Sequence, residues 1–245
     1  MRLLLLGGTA EARELAARLH PRVHVISSLA GRVPDPVLPP GEVRTGGFGG
    51  VEGLRRWLLD HRVDAVVDAT HPYAATMTAH AAEVCAQLDL PHLVLHRPAW
   101  ETGNATIVGS DTEAAAHIAA AGYRRVLHTA GRSGVAAFRD STAWLLIRVV
   151  TAPDPRDLPA HHELIFSRGP YTVDDERALI AGNRIDVVVT KNSGGEHTRG
   201  KIDAARALGV DVVMIARPPL PGGVNVVNSV AGAEQWVLSR GSGAE

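Results

Sequence analysis

A glycine-rich turn follows the first apolar run of the chain and has the residue types that bind phosphate. Four leucines at positions 3–6 lead directly into GGTAEA, residues 7–12. A buried strand followed by a small turn and a helix directs unpaired backbone N–H groups beyond the strand. The dinucleotide fingerprint G-x-G-x-x-G/A aligns with Gly7, Thr9 and Ala12, without its middle glycine. The turn predicts a dinucleotide site, and an ordinary strand-to-helix turn is the alternative.

The next predicted strand, RVHVISS, bears on which dinucleotide would bind. An NAD site usually has an Asp or Glu about 20 residues after the glycine turn, where it accepts hydrogen bonds from the ribose. Ser27 and Ser28 stand there instead, and Arg32 follows. A hydroxyl and a guanidinium suit a 2′-phosphate, which a carboxylate would repel. We therefore expect NADPH, and the alternative is that Arg32 only belongs to a solvated loop.

The remaining turns at strand ends differ between the two halves of the chain. Ligands of open α/β sheets bind beyond the carboxyl ends of the strands. These turns are rich in glycine in the first half and carry cations in the second. We expect the cofactor to contact Gly7, Gly8, Thr9, Ala10, Glu11, Ser28, Arg32, Thr45, Gly46, Gly47, Phe48, Thr70 and His71. We expect an anionic substrate to contact Arg132, Ser133, Arg168, Lys191, Asn192 and Ser193.

Other motifs with chemical meaning are incomplete. GEHTRGK, residues 195–201, matches the phosphate-loop pattern G-x-x-x-x-G-K, but Ile202 stands where Ser or Thr would bind Mg²⁺. None of the three tyrosines begins a Y-x-x-x-K motif, and the twelve histidines show no recognisable zinc spacing. We therefore predict neither a nucleotide hydrolase nor a protein metal site.

The elements that must position these residues follow an alternating pattern of strands and helices. This alternation predicts a doubly wound α/β sheet. Strands are expected near residues 2–6, 22–27, 42–45, 63–68, 92–96, 124–129, 143–150, 163–167, 185–190 and 211–216. Helices are expected near 9–19, 51–61, 73–89, 172–181 and 197–208.

An internal repeat indicates that the two halves are related. GFGGVEGLRRWLLDHRVDAVV aligns without a gap with GPYTVDDERALIAGNRIDVVV, so that Gly47 meets Gly169 and Arg55 meets Arg177. Matching polar positions favour duplication over the general likeness of αβ units. We predict a first domain at 1–105, a second at 106–237 and a disordered tail at 238–245.

Composition limits the class of protein. The chain has 245 residues, of which 45% are hydrophobic, and a formal net charge of −1, which gives no sign of a nucleic-acid or membrane surface. Cys85 is the single cysteine, so an internal disulfide is excluded and a reducing compartment is indicated. The leucines before the glycine turn are too few for a signal sequence or membrane span. We expect a cytoplasmic protein, and the oligomeric state stays open.

Six motifs in this order are similar to those of the precorrin-6A reductase family of cobalamin biosynthesis. They are LLLGGTAEAREL, SLAGR, TGGFGG, DATHPYA, SRGPYTVDDE and TKNSGG, and together they span nearly the whole chain. The resemblance implies two Rossmann-like domains with a cleft that holds the dinucleotide and the tetrapyrrole. It also implies NADPH-dependent reduction of one double bond of precorrin-6A, or of its cobalt complex, to the corresponding precorrin-6B.

Such a reduction also needs a proton. His71 and Tyr73 in THPYA and Lys191 in TKNSGG lie at corresponding strand ends of the two halves, and each could supply it. A solvent proton relayed through water is the alternative, in which case these side chains only cap a helix, form a wall or bind a carboxylate. A different class of function, an NADP-sensing regulator without catalysis, also fits the first half.

Overall fold

The computed structural model describes residues 1–31 and 37–241, which form two compact units. Unit 1 consists of Met1–Pro98 and Pro218–Glu245, and unit 2 consists of Ala99–Arg217. Within the described residues each unit has one six-stranded sheet, and the strand pairs are parallel. The predicted α/β class with two related Rossmann-like bodies is confirmed.

The helices and strands follow one another with short connections. In the first part of the chain they are β1 (Arg2–Leu6), α1 (Ala10–Leu19), β2 (His24–Leu29), β3 (Glu42–Thr45), α2 (Gly50–Asp60), β4 (Ala65–Asp68), α3 (Ala75–Gln87) and β5 (His92–Leu95). Unit 2 contains β6 (Thr106–Val108), α4 (Asp111–Ala121), β7 (Arg125–His128), β8 (Trp144–Val149), β9 (His162–Phe166), α5 (Val173–Gly182), β10 (Val187–Lys191), α6 (Gly200–Leu208) and β11 (Asp211–Ile215). The chain ends with β12 (Asn225–Val227) and α7 (Val230–Gly241). A 3-10 helix, Arg132–Phe138, follows β7.

The two sheets have the same strand order, with their sixth strands exchanged. The order is β12-β5-β4-β1-β2-β3 in unit 1 and β6-β11-β10-β7-β8-β9 in unit 2. β6 follows β5 along the chain but pairs with β11, whereas β12 follows β11 but pairs with β5. Each half of the repeat therefore contributes its last strand to the sheet of the other half.

This exchange corrects the predicted domain boundaries. Residues 99–105 belong to unit 2, where Trp100 is buried against Ile202 and Met214. Residues 218–237 belong to unit 1 because β12 extends its sheet and α7 packs on α1. The predicted tail at 238–245 is also wrong in its first part, since α7 continues to Gly241.

The core of unit 1 lies on both faces of its sheet. Leu3 and Leu5 face α1 and α7, and Leu4 and Leu6 face α2 and α3. Because successive side chains of a strand point to opposite faces, a central strand covered on both sides must be apolar throughout. This explains the run of leucines before the glycine turn.

Unit 2 is built in the same way, with Leu127, Leu146 and Val188 packed against α5 and α6. Across the part of the chain that the structure describes, no helix has the length and apolar character needed to span a bilayer.

Candidate active site

The glycine turn of unit 1 is open and joins three strand ends. The Gly7 N–H donates to the Ser28 carbonyl at 2.9 Å. Thr9 caps α1: its hydroxyl accepts from the Ala12 N–H at 3.1 Å and donates to the Ala69 carbonyl at 2.8 Å. Gly8 has a φ of +105°, and a Cβ added there would meet no described atom within 4 Å. Glycine is thus required by the backbone conformation, while the space beyond the turn is free for a ligand.

The acidic residue in the first turn of α1 forms an ion pair with an arginine that follows a different strand. The Glu11 carboxylate forms an ion pair of 2.8 Å with Arg97, which lies just after β5, and both side chains are largely buried. A helix N-terminus attracts anions through its N–H groups and its dipole, and an unpaired Glu11 would oppose that attraction. Arg97 therefore keeps the predicted phosphate site favourable to a negative charge.

The carboxyl ends of β2 and β3 carry a cation that sequence reasoning missed. Arg44 donates to the Ser28 hydroxyl at 2.6 Å and to the Gly47 carbonyl at 3.1 Å. Its guanidinium carbon lies 3.8 Å from the centre of the Phe48 ring. Burial lowers the pKa of Arg44. Arg32, the cation predicted for this position, lies outside the described residues.

The turn after β3 lies close to the end of β2, as the sequence predicts for neighbouring parallel strands. The Gly46 N–H donates to the Leu29 carbonyl at 2.8 Å. Thr45 and Gly47 are exposed beside it. The described cofactor residues predicted after β1, at the end of β2 and after β3 thus lie at one edge of the sheet.

The turn after β4 brings the two predicted proton donors of unit 1 together. The ring centres of His71 and Tyr73 are 5.6 Å apart, and the Tyr73 N–H lies 3.3 Å from His71 Nδ1. Thr70 donates its N–H to the carboxylate of Asp68 at 2.9 Å. Asp68 is buried, and its other oxygen has no hydrogen-bond partner among the described residues. The buried carboxylate therefore anchors the turn that presents His71.

Asp68 also affects a neighbouring thiol. Burial, with the charge of Asp68 as a smaller cause, raises the pKa of Cys85 to about 12. The buried thiol therefore stays protonated and inert at neutral pH.

In unit 2 the residues after β10 have separate roles. Asn192 is buried, and its amide accepts from the Trp100 N–H at 2.8 Å and donates to the Trp100 carbonyl at 3.1 Å. Both ends of this side chain are thus occupied by the chain itself, which favours a positioning role over the predicted contact with substrate. Lys191 and Ser193 are partly exposed on either side of it.

The charge of Lys191 acts on a buried histidine and on an aspartate. His128 is fully buried, and burial together with the positive charge of Lys191 lowers its pKa to about 4. Burial raises the pKa of Asp111, the first residue of α4, and the charge of Lys191 opposes that change. The Lys191 ammonium is therefore close enough to both groups to influence their protonation.

The turn after β7 corresponds to the glycine turn of unit 1 but is built differently. Arg132 and Ser133 are exposed and begin a 3-10 helix without a side-chain cap. Arg132 donates to the Thr151 hydroxyl at 3.1 Å. Gly134 lies against Asp111, since a Cβ added there would stand 2.0 Å from a carboxylate oxygen. This turn offers no α-helical N-terminus and has an acid beside it.

The loop that carries Arg168 rests on a buried charge network that sequence reasoning also missed. Arg148 pairs with Glu176 at 2.8 Å and stacks on the Tyr171 ring at 4.0 Å. Lys201 lies beside them, and burial and the charge of Arg148 lower its pKa to about 7 although Glu176 opposes the change. Arg168 itself is exposed. The network thus supports Tyr171, three residues after this arginine.

The arrangement places the chain among α/β proteins of Rossmann type, with a capped helix after an open glycine turn. The family model for precorrin-6x reductase, CbiJ/CobK, matches residues 2–238. The chain therefore belongs to the precorrin-6x reductase family, and it is an oxidoreductase. Reductases of this kind in general take their electrons from a nicotinamide cofactor.

Curated and solved relatives agree with this family. The chain is 64% identical over 236 residues to a precorrin-6A reductase of Mycobacterium tuberculosis, covering 96% of this chain and 97% of the relative. It is 30% identical over 239 residues to a cobalt-precorrin-6A reductase of Priestia megaterium, covering 90% and 92%. A solved structure of CobK precorrin-6A reductase superposes with a TM-score of 0.90 at 36% identity, covering 98% of this chain and 97% of that one.

Proposed function

We propose that the protein reduces one double bond of the precorrin-6A macrocycle to give precorrin-6B, with NADPH as the electron donor. The high identity to a relative that is named for the metal-free substrate supports precorrin-6A over its cobalt complex. Reduction adds a hydride to one carbon and a proton elsewhere, and NADP⁺ leaves.

The observation that carries this proposal is the difference between the two glycine turns. In unit 1 the turn is open and is followed by an α-helix with a threonine cap. In unit 2 it is followed by a 3-10 helix and lies against Asp111. An N-terminus of an α-helix favours a pyrophosphate, whereas a neighbouring carboxylate repels one. The residues of unit 1 therefore fit the dinucleotide.

The residues at the strand ends of unit 1 have separate roles in this proposal. Gly7 and Gly8 let the backbone approach the pyrophosphate, and Arg97 neutralises Glu11 beside it. Nicotinamide dinucleotides supply a hydride when bound. His71 and Tyr73 line the neighbouring turn, where either can donate a proton through its imidazole or phenol group.

Cations of unit 2 suit a substrate with many carboxylates. Arg132, Arg168 and Lys191 all reach solvent near the carboxyl ends of their strands. A precorrin carries carboxylates around its rim, and guanidinium and ammonium groups bind them with charge-assisted hydrogen bonds. Asn192 fixes the backbone next to Lys191 through Trp100. We assign Lys191 both to substrate binding and to stabilising charge during the reduction.

The test is an anaerobic incubation of the protein with precorrin-6A and NADPH, followed at the nicotinamide absorbance. Oxidation of one NADPH for each precorrin-6B formed is the expected result, and NADH should react far more slowly. Tight NADPH binding without oxidation would instead support the NADP-sensing regulator. Replacing precorrin-6A with its cobalt complex in the same assay distinguishes the two substrates.

A further inference from the structure

The Arg44 side chain is supported by aromatic rings at the edge of unit 1. Its guanidinium lies over Phe48, and Phe48 packs edge-on against Trp57 with ring centres 5.4 Å apart. Gly53 lets the Phe48 backbone lie close to α2, because a Cβ there would lie 1.8 Å from the Phe48 carbonyl oxygen. Guanidinium groups stack on aromatic faces in this way when they are held for planar recognition. The side chain is therefore held in one place.

Among the described residues, the contacts of Arg44 are with uncharged groups. Its hydrogen bonds go to a hydroxyl and a carbonyl, and within residues 1–31 and 37–241 no carboxylate forms an ion pair with it. Burial makes a cation costly to keep charged, and an anionic ligand would stabilise it. The site thus has the electrostatic character of an anion site.

The position of Arg44 in the sheet indicates which anion would bind beside it. β2 and β3 pair in parallel, and Arg44 is the register partner of Ser28. Ser28 stands near the end of β2, where NAD-dependent proteins place the acid that contacts the adenosine ribose. The guanidinium is hydrogen-bonded to the hydroxyl that replaces that acid. A phosphate on the 2′-oxygen of this ribose would meet Arg44 and Ser28 together.

We propose that Arg44, held by Phe48 and Ser28, is the residue that selects a 2′-phosphorylated adenosine over an unphosphorylated one. This assignment rests on the proposed binding of NADPH by unit 1 and names the specificity residue of that site. The competing reading is that Arg44 only holds the turn through the Gly47 carbonyl. A structural role of that kind would affect both forms of the ligand equally.

The test compares two probes that differ only in the 2′-phosphate, 2′,5′-ADP and ADP, by isothermal titration calorimetry. We expect the wild-type protein to bind 2′,5′-ADP more tightly. Arg44→Ala should weaken 2′,5′-ADP binding by roughly tenfold to a hundredfold, as for the loss of a charge-assisted hydrogen bond, and leave ADP binding nearly unchanged. Arg44→Gln keeps most of the length and a donor without the charge, and it should lose the same preference. Arg44→Lys should retain part of it.

Arg55→Ala on the exposed face of α2 is the matched control and should keep the wild-type preference. Equal losses for both probes in Arg44→Ala and Arg44→Gln would overturn the assignment, as would an unchanged preference. Calorimetry is independent of turnover, so the two proposals can fail separately. A protein that prefers 2′,5′-ADP through Arg44 but does not reduce precorrin-6A would contradict the proposed function alone.

Discussion

At the scale of single residues, Arg44 and Arg97 of unit 1 have opposite surroundings. Arg44 has neutral partners, whereas Arg97 neutralises Glu11 at the start of α1. The first is suited to selecting between ligands. The second is suited to making the helix N-terminus accept any phosphate.

Arg97→Ala should therefore weaken NADPH and NADH binding by a similar factor. The unpaired Glu11 carboxylate would repel the pyrophosphate, and a loss of about threefold to tenfold is expected for a partly buried pair. Fluorescence titration with both cofactors measures the change. Glu11→Gln added to Arg97→Ala should restore much of the binding, because the repulsion is then removed. No recovery in the double variant would mean that Arg97 acts in another way.

Gly8→Val tests which glycine turn binds the pyrophosphate. A valine at a φ of +105° is strained and fills the free space beyond the turn, so NADPH binding should be lost in a folded protein. Gly131→Val is the matched control, since Gly131 has a φ of +88° in the corresponding turn of unit 2. Both variants carry backbone strain, but only the first should lose the cofactor. The reverse result would place the dinucleotide on unit 2.

The proposed site residues that the sequence pattern indicates and those that it does not indicate differ in where they lie. Gly7, Gly8 and Thr9 form a turn with a known pattern, and the structure has them at the expected strand end. Arg44 lies inside a predicted strand, and a side chain in a strand is expected to contribute to the sheet and not to a ligand site. Its role depends on the neighbouring strand through Ser28, and a single sequence does not show that pairing. Arg97 was missed for the same reason, because its partner Glu11 is far away in the chain.

At the scale of elements, segments with a clear apolar pattern were predicted well, and segments without one were missed. The leucine run of β1 has the predicted bounds because burial on both faces leaves a clear signal. β6 and β12 have three residues each and are largely exposed, so they show no alternation. α4 has the sequence DTEAAAHIAAA, in which few side chains mark a buried face. The sheet partners of β6 and β12 are set by tertiary pairing, which local sequence patterns do not show.

His128, at the end of β7, should make the folding stability of unit 2 decrease at acidic pH. The folded pKa of His128, about 4, lies below the ordinary 6.5, so between these values the unfolded chain binds a proton that the folded chain does not. Stability should therefore fall as the pH drops from about 6.5 to 4, by about 3 kcal/mol from this group. His128→Leu should remove that part of the pH dependence in urea unfolding followed by circular dichroism. His161→Leu, at an exposed position, tests whether loss of any histidine does the same.

At the scale of the whole molecule, the exchanged strands make the last helix part of the cofactor unit. Val237 in α7 is fully buried in the core that contains Leu15 and Leu19 of α1. Val237→Asp should unfold unit 1 and abolish NADPH binding, because it buries an unpaired charge far from the glycine turn. Titration with NADPH measures this loss. Gln235→Asp, exposed on the same helix, is the control and should bind normally. Normal binding by Val237→Asp would contradict the packing of α7 on α1.

The exchange also sets an order of events during synthesis on the ribosome. Unit 2 is continuous, so all of its strands have left the ribosome once Arg217 has emerged. Unit 1 begins first, yet it has an open edge at β5 until β12 is made. At roughly 5 to 20 residues per second the nascent chain carries this incomplete sheet for on the order of ten seconds while unit 2 is translated. Unit 1, whose first residues are translated before those of unit 2, is therefore the unit whose sheet is completed last.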